Sequence, residues 1–326
     1  MPIIRHVAVV FRIAAGPRLG FGHLVRCRAI ARALGVEPRV SIRGTAATRR
    51  AAATLGLRVL AGGLRVLDRE RPQVLVVDDP SAAAARPWVG AARRRGIPVA
   101  TIHDAGLARL DADLVIDGSV RAVAASGPAR LFGPRYAILD PRLTARAATR
   151  RPRVGRIVIA VGGGAHVFAR VPAVVAELAR RAPGADIQVA AGFTARRRRP
   201  VLTSGRWLAP DRFAAAFAGA QLALVAGGIT AYEACALGVP CVAVSVVAAQ
   251  RPVVRALARR GAALDGGALG RVGADRRVAA RLARLLAAPA LQRRLAAAGQ
   301  RLVDGHGAAR VATAIRALAL TGGARG

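Results

Sequence analysis

The sequence predicts an α/β protein of two similar Rossmann-like halves, each a parallel sheet with helices on both faces, the two sheets facing an interdomain cleft. Three observations predict it. Short β-type apolar runs alternate with longer Ala/Leu/Arg runs of helical period. Such alternation marks parallel βαβ units, whose strands are covered on both sides. A polar stretch without periodicity, TARAATRRPR (144–153), then interrupts the pattern before it restarts. A chain of 326 residues also suits two domains of about 150 residues each. The expected division is 1–148 and 149–326.

The first strand is HVAVVF, His6 to Phe11, a buried β-branched run. Gly22 to Leu34 follows as a helix, because Leu24, Cys27, Ala31 and Leu34 recur on one face. Short strands are expected near Arg39–Ile42 and Gln73–Val77. A helix over Ser81–Arg95 opens on Ser81, whose hydroxyl suits an N-cap. Strands near Pro98–Ile102 and Asp113–Ile116 close the half. In the second half RIVIAV (156–161) is a strand, followed by a triple glycine and a helix over Val167–Arg181. DIQVAA (186–191), the run from Leu222 and CVAVSV (241–246) are further strands. The tail from Arg271 is helical, with no chemistry legible in it.

Charge narrows the classes of function. The chain has 52 basic and 17 acidic residues, a net charge of +35, and every basic residue is arginine. A polyanion partner is the first thought. However, the arginines are scattered, and aromatics make up only 3% of the chain, too few for the stacking platform of a single-strand binder. No specific nucleic acid is therefore expected. A phosphate-bearing small substrate, or peripheral association with an anionic membrane surface, fits the charge as well. Cys27, Cys235 and Cys241 form no CxxC pair and no zinc spacing, so no metal site is expected. No signal peptide or 18-residue apolar span is visible, and a cytoplasmic protein is expected.

Chemistry concentrates at strand-to-helix turns. FRIAAGPRLGFGHLVRC (11–27) follows the first strand, and Gly16, Gly20 and Gly22 leave bare backbone amides at a helix start, a setting for phosphate. The dinucleotide fingerprint is not met: Gly20 and Gly22 lack the third glycine, Val25 standing in its place, and Arg43 occupies the acidic position. His23 opens the helix, where the positive helix end favours a neutral base. It is the candidate catalytic residue. Asp78 and Asp79, after QVLVV, could line the cleft; the preferred reading is helix capping or a fold role.

The second half has two such turns. Gly162, Gly163 and Gly164 follow RIVIAV, with His166 as a possible phosphate contact. VAGGITAYEACALGVP (225–240) is more specific. There Gly227 and Gly228 free the backbone before Ile229, and Thr230 can cap the helix or donate to a phosphate. Glu233 completes a capping box with Thr230 or accepts hydrogen bonds from a ribose diol.

Together, FRIAAGPRLGFGHLVRC, AGGITAYEACALGVP, LFGPRYAILDPRL (131–143) and Gln250 resemble the UDP-sugar hydrolase of the pseudaminic acid pathway and the related spore-coat polysaccharide biosynthesis proteins. These share the GT-B fold of glycosyltransferases such as the peptidoglycan N-acetylglucosamine transferase. The resemblance implies cleavage at the anomeric carbon of a UDP-sugar, with release of UDP and no metal needed. It implies that His23 acts on the nucleophile. It implies that Arg12, Gly20, Gly22, Gly163, Gly164, Gly227, Gly228, Ile229, Thr230, Glu233 and Gln250 bind substrate. The sequence departs from the family at Ala14 and Ala165, where acids are usual, at Ala249, where an Asn is usual, and at His103-Asp104, where two acids stand. Each lost contact costs about 1–3 kcal/mol. The leading reading is a UDP-sugar hydrolase. A GT-B glycosyltransferase stands close behind it, with a non-catalytic UDP-sugar or polyanion binder as the reading from another class.

Overall fold

A computed structural model describes residues 7–16, 19–103, 110, 112–121, 129–162, 165–193 and 199–322. The chain divides into two compact units, one of residues 1–141 with 306–326 and one of residues 142–305. The break falls three residues before the expected polar stretch. The last helix differs from expectation: it belongs to the first unit, not the second.

In the first unit, β1 (Val9–Ala14) leads to α1 (Gly22–Leu34), β2 (Arg39–Arg43), α2 (Ala46–Thr54) and the short β3 (Arg58–Val59). Next come α3 (Val66–Glu70), β4 (Val74–Asp78) and α4 (Ala82–Arg93). β5 (Val99–Ile102), β6 (Leu114–Asp117) and β7 (Arg130–Phe132) complete one parallel sheet, in the order β3-β2-β1-β4-β5-β6-β7. Every residue of β1 and β4 is buried, as central strands with helices on both faces require. The expected apolar face of α1 is also buried: Leu24, Cys27, Ala31 and Leu34. Gly35 ends α1 in the left-handed conformation at φ 70°.

The second unit follows the turn α5 (Pro141–Thr144). It contains β8 (Arg156–Ala160), α6 (Ala165–Phe168), α7 (Val171–Arg181), β9 (Asp186–Ala190), β10 (Arg206–Leu208) and α8 (Phe213–Ala218). β11 (Leu222–Ala226), α9 (Ile229–Leu237), β12 (Cys241–Ser245), α10 (Arg251–Arg259) and β13 (Leu264–Ala268) follow. Its parallel sheet runs β10-β9-β8-β11-β12-β13. The helical tail is α11 (Ala274–Leu286), α12 (Pro289–Leu302) and α13 (Gly307–Gly322).

α13 packs on α1, and Arg316 donates from Nη2 to the carbonyls of Ala33 and Leu34 at 3.1 and 3.0 Å. Those carbonyls lie in the last turn of α1, where a cation also meets the negative helix end. This contact ties the chain's end to its beginning. No helix among the described residues is long and apolar enough to cross a membrane.

Candidate functional site

Each sheet reverses its winding once, between β1 and β4 in the first unit and between β8 and β11 in the second. At such a switch point the two following loops part and leave a crevice beyond the strands' carboxyl ends. The candidate residues gather at these two places.

In the first unit, Gly16 and Gly20 pair through two backbone hydrogen bonds of 3.0 and 2.7 Å, closing the loop after β1. Gly20 sits at φ 86°, which explains glycine there. Thr48 anchors the same loop by donating to the Ala15 carbonyl at 2.9 Å. Gly22 then opens α1, and among the described residues its amide and that of His23 make no backbone hydrogen bond. No side chain caps this helix start.

His23 is buried, and its Nδ1 lies 2.8 Å from Oδ1 of Asp78 at the end of β4. Arg26, one turn along α1, donates to both carboxylate oxygens, from Nε at 2.9 Å and from Nη2 at 2.7 Å. Its Nη2 is also 2.8 Å from His23 Nδ1. Nδ1 can carry a proton toward Asp78 or accept one from Arg26, not both. The carboxylate is the stronger partner for a proton on Nδ1, and Arg26 Nη2 already donates to the same Asp78 oxygen. That tautomer leaves the Nε2 lone pair without a hydrogen bond among the described residues. Burial alone would push the Asp78 carboxyl up; the charges of Arg26 and His23 and their hydrogen bonds bring it down to about 2. Asp78 is therefore ionised at neutral pH, and it orients the imidazole as the acid of a catalytic triad does.

Of the roles expected of Asp78, helix capping is not the one seen: it stands in a buried ion pair. Asp79 accepts from the Ser81 amide at 3.0 Å, and Ser81 itself caps α4 by accepting from the Ala84 amide at 3.3 Å. Sequence reasoning names Asp78 without its partner His23 and misses Arg26. The available signal was the i, i+3 spacing of His23 and Arg26 on one helix face.

Arg12 is not brought to His23. It is in register with Val77 and shares its face of the sheet, lying over Trp88 of α4 at 5.0 Å. Asp78, the next residue, faces the opposite side. His103 is buried, with Nε2 2.9 Å from Thr101 Oγ1. Asp104 lies outside the described residues.

In the second unit, Gly163, Gly164 and the side chain of His166 lie outside the described residues. The turn after β11 is described throughout. The structure corrects the expected capping box: Gly228 is the N-cap of α9, Thr230 lies inside the helix, and no side chain caps it. The glycine amides are not free either. Gly227 donates to Val244 at 2.9 Å and Gly228 to Ala226 at 2.8 Å. Among the described residues, the amides of Ile229 and Thr230, in the first turn of α9, make no backbone hydrogen bond. Glu233 follows one turn later and is buried.

Gly227 is glycine for want of room. A Cβ there would stand 2.6 Å from Val254 Cγ2 and 3.1 Å from the Gln250 carbonyl oxygen. Gln250 accepts from the Val246 amide through Oε1 at 3.0 Å, which leaves its amide nitrogen as a donor. That nitrogen is 3.7 Å from where a Cβ on Gly228 would be. Gly227, Gly228 and Gln250 thus form one cluster at the start of α9. Gly227→Ala is expected to cost about 1–3 kcal/mol of stability by overpacking. Urea unfolding checks it, and an unchanged midpoint would refute the close packing.

Cys27, Cys235 and Cys241 are free and buried, and burial pushes each thiol up, Cys235 to about 12. None is a nucleophile at neutral pH.

No protein-family model matches the chain. Over 99 residues, 30% of its length, it is 39% identical to the spore coat polysaccharide biosynthesis protein SpsG of Bacillus subtilis (strain 168), and the match spans 29% of that protein. The crystal structure of MurG from Acinetobacter baumannii is similar with a TM-score of 0.62 and 18% identity, over 95% of this chain and 99% of that one. The spinosyn forosaminyltransferase SpnP gives 0.65 and 18%, over 97% and 100%. The spinosyn rhamnosyltransferase SpnG, complexed with thymidine diphosphate, gives 0.61 and 21%, over 93% and 99%. The fold is that of these proteins: two Rossmann-like domains with parallel sheets, the GT-B architecture.

Proposed function

We propose that this chain is a glycosyltransferase that moves a sugar from a nucleoside diphosphate donor to an acceptor hydroxyl in polysaccharide synthesis. The observation that carries the reading is the His23–Asp78 pair at 2.8 Å, clamped by Arg26 at the β1/β4 switch point. An imidazole with Nδ1 held by a carboxylate is built to take a proton at Nε2. The nucleophile it serves is a hydroxyl attacking the anomeric carbon. The new C–O bond forms as the bond to the diphosphate breaks, and the leaving group departs with its electron pair.

The donor is assigned to the second unit. The unbonded amides of Ile229 and Thr230, the Thr230 hydroxyl and the Gln250 amide are the donors for the diphosphate and sugar. Glu233 is the acceptor for the ribose diol. The GT-B fold, the SpsG relative and the transferase neighbours support this reading, and the thymidine diphosphate complex of SpnG supports a nucleotide donor.

Hydrolysis of a UDP-sugar is the second reading. The same imidazole serves water equally well, and the GFGH loop resembles that of the family hydrolase. Against it stand Ala14, Ala165 and Ala249, where that family places polar groups on the sugar side.

Incubation with UDP- and dTDP-sugars, with and without candidate acceptors, separates the readings by nucleotide release and product mass. Release that requires an acceptor, with a glycosylated product, is the expected result. Equal release without acceptor makes the protein a hydrolase. Tight nucleotide binding with no release from any donor defeats both.

A further inference from the structure

Arg12 belongs to neither cluster above. The residue is 8% exposed, and its Nη2 stands 3.6 Å from its ion-pair partner Asp79, beyond hydrogen-bond distance. Its Nε is sealed from solvent without a partner. Buried guanidinium groups are normally satisfied, because leaving such donors unmet is costly.

The neighbours explain why Arg12 is left over. Asp79, whose side chain is fully buried, lies 3.6 Å from Arg12 Nη2. Both its oxygens are already engaged: Arg43 donates from Nε to Oδ2 at 2.9 Å and from Nη2 to Oδ1 at 2.5 Å, and the Ser81 amide also donates to Oδ1. Two guanidinium groups therefore share one saturated carboxylate, and the cluster has a charge of one positive unit. The Arg12 guanidinium carbon lies 5.0 Å from the centre of the Trp88 ring, and a tenth of the Arg12 side chain remains exposed. Burial, partly opposed by Asp79 and reinforced by the Arg43 charge, loosens Arg12's hold on its proton.

We propose that Arg12, backed by Arg43 and Trp88, binds an oxyanion, a carboxylate or phosphate group, on the face of the β1/β4 sheet opposite His23. A planar two-oxygen anion matches the two terminal nitrogens of the guanidinium, Nη1 and Nη2. On the transferase reading, on which this clause alone rests, the anion is carried by the acceptor or by the transferred sugar, so one of the two is acidic.

The test needs no nucleotide sugar. In a Trp207→Phe background Trp88 is the only tryptophan. Its fluorescence is followed while inorganic phosphate or malonate is added at constant ionic strength. A saturable change is expected, and the tighter of the two anions names the group. Arg12→Gln is expected to weaken it about ten- to a hundredfold, the loss of one charge-assisted bond. Arg43→Gln releases Asp79 to Arg12, neutralises the site and is expected to weaken binding similarly, which decides the matter if Arg12→Gln fails to fold. No saturable response in the parent overturns the proposal. So does an undiminished response in either folded variant, since the signal would then come from the arginine-rich surface at large. Binding that holds while no nucleotide sugar is turned over leaves this site standing and removes the transferase reading.

Discussion

His23→Ala is expected to slow nucleoside diphosphate release by about 10²–10⁴-fold, the usual contribution of a positioned general base. Nucleotide affinity is expected to stay unchanged, because the donor-binding groups are assigned to the second unit. The split follows from what alanine removes. The amides of Gly22 and His23 remain where α1 starts, and only the proton acceptor at Nε2 is lost. Steady-state kinetics on the preferred donor, with calorimetric titration of the free nucleotide, reads both quantities. A variant that retains wild-type turnover removes His23 from the mechanism. A variant that loses nucleotide binding as well places the imidazole on the donor instead.

Asp78→Asn is expected to cost about 3–5 kcal/mol of folding free energy at neutral pH, the usual result of removing one partner from a buried ion pair. The amide keeps the shape but not the charge, so the largely buried Arg26 loses its counter-ion. The same change frees the imidazole to accept from Arg26 at Nδ1, which puts the proton on Nε2, the wrong nitrogen for a base. Turnover is therefore expected to fall while nucleotide affinity holds.

The pH dependence provides a second check. The carboxyl is depressed from 3.8 to about 2 on folding. A depressed carboxyl stabilises the folded state fully above its unfolded value and loses that contribution as pH falls toward its folded value. The wild type should therefore lose about 2 kcal/mol between pH 4 and pH 2 that the variant does not. Urea unfolding of both proteins across that range measures it. Parallel curves would mean that Asp78 is not held by Arg26 and His23 as described.

Much of the fold was legible in the chain because parallel strands buried on both faces must be continuous apolar runs. RIVIAV, LALVA and CVAVSV could be read directly for that reason. The elements that escaped are short or atypical. β3 has two residues and β10 three, too few for any period, and β13 is LDGGA, with two glycines where apolar residues usually mark a strand. α10 was hidden because its pattern starts with Arg251 and Pro252 directly after Gln250.

At the candidate site, His23 and the GGxT turn stood out because strand–glycine–helix order is a local feature. Their partners are distant in sequence. Asp78 is 55 residues from His23, and register alone decides that it, rather than Asp79, faces α1. A strand turns alternate side chains to opposite faces, so two adjacent aspartates, identical to a sequence reader, have unrelated roles. The same alternation sends Arg12 to the Trp88 side, away from the histidine that follows it by eleven residues.

The amino-acid order by itself determined the α/β class, the two halves and the glycine turns, because each rests on periodicity or backbone freedom within a few residues. Tertiary structure decided which carboxylate orients His23, which amides of α9 remain free, and that α13 returns to the first unit through Arg316. Those depend on the three-dimensional proximity of groups tens to hundreds of residues apart, which local pattern does not encode.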